Sequence, residues 1–243
     1  MNISLAAEPV FYLNSIPITN SLLVTWILMI AIVLLGIFLK LTSWVVPNKI
    51  QGLLEVIYET SYKFVEDMLG KKITPHVYPL AITLLLFIAI GNLAGLLPGM
   101  GSLSVPLEKH GEIEWMPLFR AVTADLNMTF ALALIAIVAN QYFAIKFLGF
   151  GHYIKKFINF SSPINFFVGI LEIISELSKI LSFSFRLFGN VFAGEVLLAV
   201  MYFLVPFAVP IPFIMMEVFV GLMQAFVFFL LFIVFVKVSL AEH

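Results

Sequence analysis

The 243-residue chain contains no cysteine. Disulfides and thiolate metal sites are therefore excluded. Charge is also scarce: Asp, Glu, Lys and Arg make up 11% of the residues, against roughly 25% in a soluble globular domain. The formal net charge is −1, which leaves no electrostatic footprint for nucleic acid. No Gly-rich phosphate loop occurs, so the chain shows no nucleotide-binding signature. Lys40 is the first basic residue. Neither the basic start of a secretory signal nor an Arg-rich transit peptide is present, and the first apolar run is expected to persist as a membrane helix. No internal repeat recurs at a spacing of about 20–50 residues, which argues against a solenoid.

What the chain does have is apolar length. Hydrophobic residues make up 62% of it, and the mean hydropathy is +1.11. Several runs are long enough to cross a bilayer, so this is an integral membrane protein of the all-α class. The organisation expected is a single membrane domain over 1–243, with about five membrane helices and one amphipathic surface helix. Residues 1–17 read as an external lead-in. The first span covers 18–40, about 30 Å of helix. Over 48–69 apolar residues recur at helical spacing, while Glu55, Glu59, Lys63 and Glu66 line another face. That segment suits a helix lying on the membrane surface. A helix packed on the soluble part of another subunit is the alternative. Spans follow at 77–98 and 121–147, separated by a loop over 98–120. A short basic connection fills 149–160.

The last third, 163–237, differs from the rest. From Pro163 to about Val205 no proline interrupts a helical pattern. A helix of that length reaches about 60 Å, twice the roughly 30 Å hydrocarbon thickness, so it must tilt steeply. The proline-rich turn at 206–212 then leads into a final apolar run. A tilted antiparallel hairpin is expected, with a broken helix of two short spans as the alternative. Nine lysines (40, 49, 63, 71, 72, 146, 155, 156 and 237) fall on one side of this topology. Lys109 and Arg120 fall on the other. The positive-inside rule therefore puts the C-terminus in the cytoplasm and the N-terminus outside.

An ionisable residue inside a membrane span is a functional candidate, because its burial is costly. The hairpin carries Glu172, Glu176, Lys179, Arg186, Glu195 and Glu217. On a helical wheel with Glu172 at zero, Glu176, Lys179, Phe183, Arg186 and Asn190 fall within about 40° on either side, whereas Glu195 lies near 140°. Glu217, Gly221 and Gln224 lie within about 60° of one another on the second helix. Folding at residue 205 or 206 sets Glu195 level with Glu217, and Arg186 level with Gln224, about 13 Å further along. Arginine keeps its charge and cannot relay a proton. Glutamate can exchange one, and a nearby arginine favours its ionised form. A fixed cation beside a carboxylate path can load and unload ions with a barrier between the two sides. A static pair of Arg186 with Glu195 or Glu172 is the plain structural alternative. Glu172, Glu176 and Lys179 equally suit a solvated entrance face. Asn92, Asn140 and Gln141 suit interhelical hydrogen bonds, and Asn92 also suits a place along the external path.

The run Ser182-Phe-Ser-Phe-Arg186-Leu-Phe-Gly-Asn190-Val-Phe-Ala-Gly-Glu195 resembles the signature of the a subunit of the rotary, F-type ATP synthase membrane sector. Gln224-Ala-Phe-Val-Phe resembles that family's second signature segment. Thr123-Ala-Asp125-Leu-Asn127, Pro79-Leu, Asn92 and Leu97-Pro98 are also similar. The resemblance runs from about residue 18 to the C-terminus. It implies a stator ion channel whose two half-channels carry protons to and from carboxylates on a ring of c subunits. That coupling links ion flow to rotation and ATP synthesis. Arg186 would face the ring and keep the half-channels apart. Glu195 and Glu217 would serve the external half-channel, with Asn190 and Gln224 as polar partners near the arginine. Glu172, Ser182 and Asn92 would line the path. One departure stands out: many relatives carry a histidine across the Glu195 and Glu217 positions. Here His76, His110, His152 and His243 lie in ends or loops.

The resemblance implies partners in the c ring, the peripheral-stalk b subunits, the rest of the complex and membrane lipid. It implies a multi-pass protein of a bacterial inner (plasma) membrane. No catalytic site, metal or cofactor is expected in this chain, and no nucleic-acid partner. A secondary transporter binding an anion at Arg186 is the alternative, although the hairpin lacks the counterpart that an inverted repeat requires. A purely structural membrane subunit is the other.

Overall fold

A computed structural model describes residues 9–13, 16–41, 49–97, 104–109, 112–157, 163–205 and 209–241. Pro47, Pro98, Gly99, His110, His243, the lead-in up to residue 8 and the turn residues 206–208 lie outside the described residues. A two-stranded antiparallel hairpin, β1 (Pro9–Leu13) and β2 (Ile16–Thr19), leads into α1 (Asn20–Leu41). Next come α2 (Lys49–Leu69) and α3 (Thr74–Gly95). A second hairpin, β3 (Ser104–Lys109) and β4 (Glu112–Pro117), precedes a 3-10 turn at Val122–Ala124. The remaining helices are α4 (Leu126–Leu148), α5 (Phe150–Phe157), α6 (Pro163–Leu204) and α7 (Pro210–Ala241).

The chain is an all-α membrane protein, with five helices long and apolar enough to span a bilayer. The amphipathic segment forms α2, which turns Val65 and Leu69 into the core and leaves Glu55, Glu59 and Lys63 exposed. It is tied down by Tyr78, whose hydroxyl lies 2.8 Å from that of Ser61 and donates to the Tyr58 carbonyl at 3.1 Å. The long helix is unbroken. The 42 residues of α6 extend about 63 Å, so a steep tilt is needed to keep its apolar length in hydrocarbon.

Three local features depart from the sequence reading. The N-terminal lead-in and the 98–120 loop each contain a strand hairpin, too short to announce itself by alternation. The basic connection contains the helix α5. The proline turn is shorter than expected, because α7 starts at Pro210 rather than Phe213. A proline in the first helical turn loses no intrahelical hydrogen bond, since those N–H groups have no acceptor within the helix.

The core is built where α3, α4, α6 and α7 pack together. Phe228, Phe229, Phe232, Ile233 and Val236 form the buried stripe of α7. Phe183 of α6 sets its ring edge-on to Phe228 and Phe235, with centroids 4.6 and 5.3 Å away. At the start of α4 Asp125 caps the helix, accepting from the Asn127 N–H at 3.0 Å. Its other oxygen accepts from the Ser21 hydroxyl at 2.5 Å, which ties the start of α1 to the start of α4. Asp125→Ala is expected to lower stability by about 1–2 kcal/mol, and Asp125→Asn, which caps comparably, by less. Limited proteolysis against temperature in membrane vesicles checks both, and equal behaviour of the two variants would contradict the capping role.

Candidate ion-translocation site

The direction in which each α6 residue points decides what it can touch. On the wheel used above, Phe183, Asn190 and Gly194 lie between about 0 and 40°, and this side meets α7. The Asn190 side-chain amide donates to the Gln224 side-chain oxygen at 2.6 Å. A Cβ added at Gly194 would lie 2.5 Å from Oε1 of Glu217, so the bare glycine backbone makes room for that carboxylate. Ser184 and Val191, near 120° and 100°, look the other way. Ser184 meets Thr129 of α4, hydroxyl to hydroxyl, at 3.2 Å. Val191 packs on Ala121 and Ala124 beside the 3-10 turn.

Glu195 shares that second side, half-buried, and interacts electrostatically with Arg120 and with Glu217. Glu217 itself is buried, and its Oε2 has no hydrogen-bond partner among the described residues. The two carboxylates therefore flank α6 at one level, Glu217 from α7 and Glu195 from α6 itself.

Arg186 stands apart from both. It is exposed, near −40° on the wheel, at the edge of the cleft that α6 shares with Leu231 and Phe235 of α7. Its Nη2 donates to the Ser182 hydroxyl at 3.1 Å. Among the described residues no carboxylate lies within ion-pair distance of it, so the static pair with Glu195 or Glu172 is not formed. A cleft of about 210 Å³ runs from Arg186 toward the start of α6, past Ser182, Ser178, Lys179 and Ser175. Glu172 is half-buried nearer that end.

The expected register holds to within one turn. Gln224 sits level with Asn190, not with Arg186. The turn arithmetic takes the helices as parallel, and crossing helices slip by about a turn over this length. Glu176 also departs from the solvated face considered for it. It is 8% exposed, and its Oε1 accepts from Lys179 Nζ at 2.7 Å. Its wheel position beside Phe183 carried that signal.

Asn92 is held on both sides. Its amide donates to the Gly221 carbonyl of α7 at 2.8 Å, and its oxygen accepts from the Thr123 hydroxyl at 2.5 Å. The residues that make this clamp possible, Thr123 and Gly221, were not picked out as site residues. A Cβ at Gly221 would sit 3.1 Å from that of Asn92. Gly221 lies one turn from Glu217 and one from Gln224, so the clamp fixes their height against α3.

A fixed cation and a carboxylate pair therefore share one helical hairpin, and a polar clamp from α3 holds its second helix. The ATP synthase A chain family matches residues 22–237. The chain belongs to that family. It is 35% identical to the ATP synthase subunit a of Geobacter sulfurreducens, over 90% of this chain and 86% of the relative. It is 36% identical to the ATP synthase subunit a of Moorella thermoacetica, over 96% of each. The ATP synthase subunit a of Trichlorobacter lovleyi is 32% identical, over 92% of this chain and 88% of the relative. Membership of the ATP synthase A chain family makes the chain a membrane-sector component of the proton-transporting complex. Gly194→Ala tests the geometry without altering any charge, since the new methyl must displace the Glu217 carboxylate. Proton flux through vesicles holding the assembled complex is expected to fall between about 10- and 100-fold. Unchanged flux would mean that the place of Glu217 against α6 is immaterial.

Proposed function

We propose that this chain is the stator channel of an F-type ATP synthase, a single membrane domain whose hairpin exchanges protons with carboxylates on a turning ring of c subunits. The observation that carries this reading is Arg186, a permanent charge exposed on a helix edge with no carboxylate among the described residues within ion-pair distance. A guanidinium so placed is suited to meet a carboxylate brought by another subunit. It favours the ionised form of that group and so releases its proton. Because arginine does not relay protons, the same residue blocks direct passage from one side to the other.

Glu195 and Glu217 serve the external half-channel, and neither is an imidazole. Asn190 and Gln224 form the polar bridge between that pair and Arg186. Ser182 positions the guanidinium. Glu172 lines the cytoplasmic half-channel, along the serine-lined cleft. Asn92 acts on the external path by holding α7 in place. The lysine asymmetry supports an external N-terminus and a cytoplasmic C-terminus in a bacterial plasma membrane. Peripheral-stalk b subunits and lipid cover the apolar faces that α1 and α6 leave exposed. An anion transporter is poorly served here, since Arg186 lies on an outer edge rather than in an enclosed cavity.

Arg186→Ala is expected to abolish ion-driven ATP synthesis in vesicles containing the assembled complex. Full retained coupling would sink the proposal. Glu195→Gln is expected to slow proton flow and move its pH dependence. An unmoved pH profile would count against a relay role for Glu195.

A further inference from the structure

Three buried side-chain oxygens have no hydrogen-bond partner among the described residues: Glu217 Oε2, Glu176 Oε2 and Asn140 Oδ1. The first belongs to the external pair. The other two lie near the opposite end of the hairpin, on different helices, and both are acceptors. Asn140 is fully buried, and its amide donates to the Ser239 hydroxyl of α7 at 3.2 Å.

Helix register brings these groups to one level. Asn140 lies 11 residues after Thr129, about three turns, and so on the stripe of α4 that meets α6. Ser239 lies 11 residues after Phe228, again about three turns, on the stripe of α7 that meets Phe183. Glu176 lies seven residues before Phe183, about two turns, on the same side of α6. Measured from Phe183, midway between its contacts with Phe228 and Phe235, Glu176 and Ser239 are each about 11 Å toward the cytoplasmic end. Measured from the Thr129–Ser184 contact, Asn140 and Glu176 differ in height by about one turn. All three helices thus turn a polar group into one junction.

Lys179 already donates to Glu176 Oε1. What the junction lacks is a donor for two acceptors. Water supplies two O–H donors and is the smallest group that serves both oxygens. We propose that the junction of α4, α6 and α7 binds water between Asn140 Oδ1 and Glu176 Oε2, and that this water forms an inner branch of the cytoplasmic proton path. The branch reaches Glu176 from within the helix bundle, on the side away from the exposed Arg186 edge. Its role in conduction rests on the proton-channel reading above; the water site does not.

The test begins with a cryo-EM map of the assembled wild-type complex that resolves ordered water. Density within hydrogen-bond distance of both oxygens is expected. Direct contact between Asn140 and Glu176, or a side chain filling the space, would overturn the site. Passive proton flux through vesicles holding the assembled membrane sector then reads the branch. Asn140→Leu fills the space with an apolar group and is expected to lower flux about tenfold. Asn140→Ser keeps a polar group with room for water and is expected to retain most of the flux. Wild-type flux in Asn140→Leu, or equal loss in both variants, would overturn the branch while leaving the Arg186 reading intact. The wild-type map needs no variant, so the site is decided even where Asn140→Leu does not assemble.

Discussion

A guanidinium cannot shed its charge, so a membrane helix that carries one must give it a polar surface, a carboxylate or another subunit. In this chain Arg186 has the first through Ser182 and leaves the second open. Much of the hairpin follows from that choice. From Phe183 onward the α7-facing side of α6 carries Phe183, Asn190 and Gly194, which are aromatic, amide and bare backbone, and the nearest carboxylate before them, Glu176, is paired with Lys179. The two glutamates that could neutralise the arginine are held elsewhere. Glu195 shares the side of α6 on which Val191 packs beside the 3-10 turn, and Glu217 lies over Gly194, two turns beyond. A buried pair involving Arg186 would have locked the site, since removing either partner of such a pair leaves a stranded charge. Keeping the carboxylates on another face and at another height leaves the arginine available.

Holding unlike charges apart within one hairpin requires rigidity, and the packing supplies it at two levels. Phe183 is wedged against two phenylalanines of α7, which fixes the lower half of the hairpin. Higher up, the chain from Thr123 through Asn92 to Gly221 pins α7 to α3. Glycine at 194 and at 221 serves the same end from opposite helices. Each removes a side chain where a polar group of the neighbouring element must come close. Small residues at helix contacts give membrane proteins their close approach. Here the space is used to seat a carboxylate in one case and an amide in the other.

The fold was largely legible because bilayer thickness and hydropathy are blunt constraints. The five spans, the amphipathic α2 and the overlong α6 all follow from run length and charge placement. The wheel also separated Arg186 from Glu195 correctly, since a helix fixes the angle between two of its residues. What it could not give was contact between helices. The level of Gln224 depends on crossing angle, and the burial of Glu176 depends on which neighbour covers its face. The Asn92 clamp is invisible for the same reason: its partners lie 31 and 129 residues away. The short strand hairpins escaped because four to six residues carry too little periodicity.

The distribution of unpartnered oxygens bears on how the site separates its two sides. One lies beside Gly194, and the other two belong to Asn140 of α4 and Glu176 of α6, toward the start of α6. Between them, around Arg186, the polar groups of the described residues are satisfied or exposed, and the interior is mostly apolar, with Phe183 and Leu187 beside the paired hydroxyls of Ser184 and Thr129. Buried unpaired acceptors favour hydration, and apolar packing opposes it. The bundle interior is thus suited to hold water at both ends and to stay dry in the middle. In the proposed reading, a proton crossing from one end to the other leaves the interior at the level of Arg186 and travels on a group outside this chain. A stator has to impose that requirement, and here it follows from where the polar atoms are left unpaired as much as from the arginine itself.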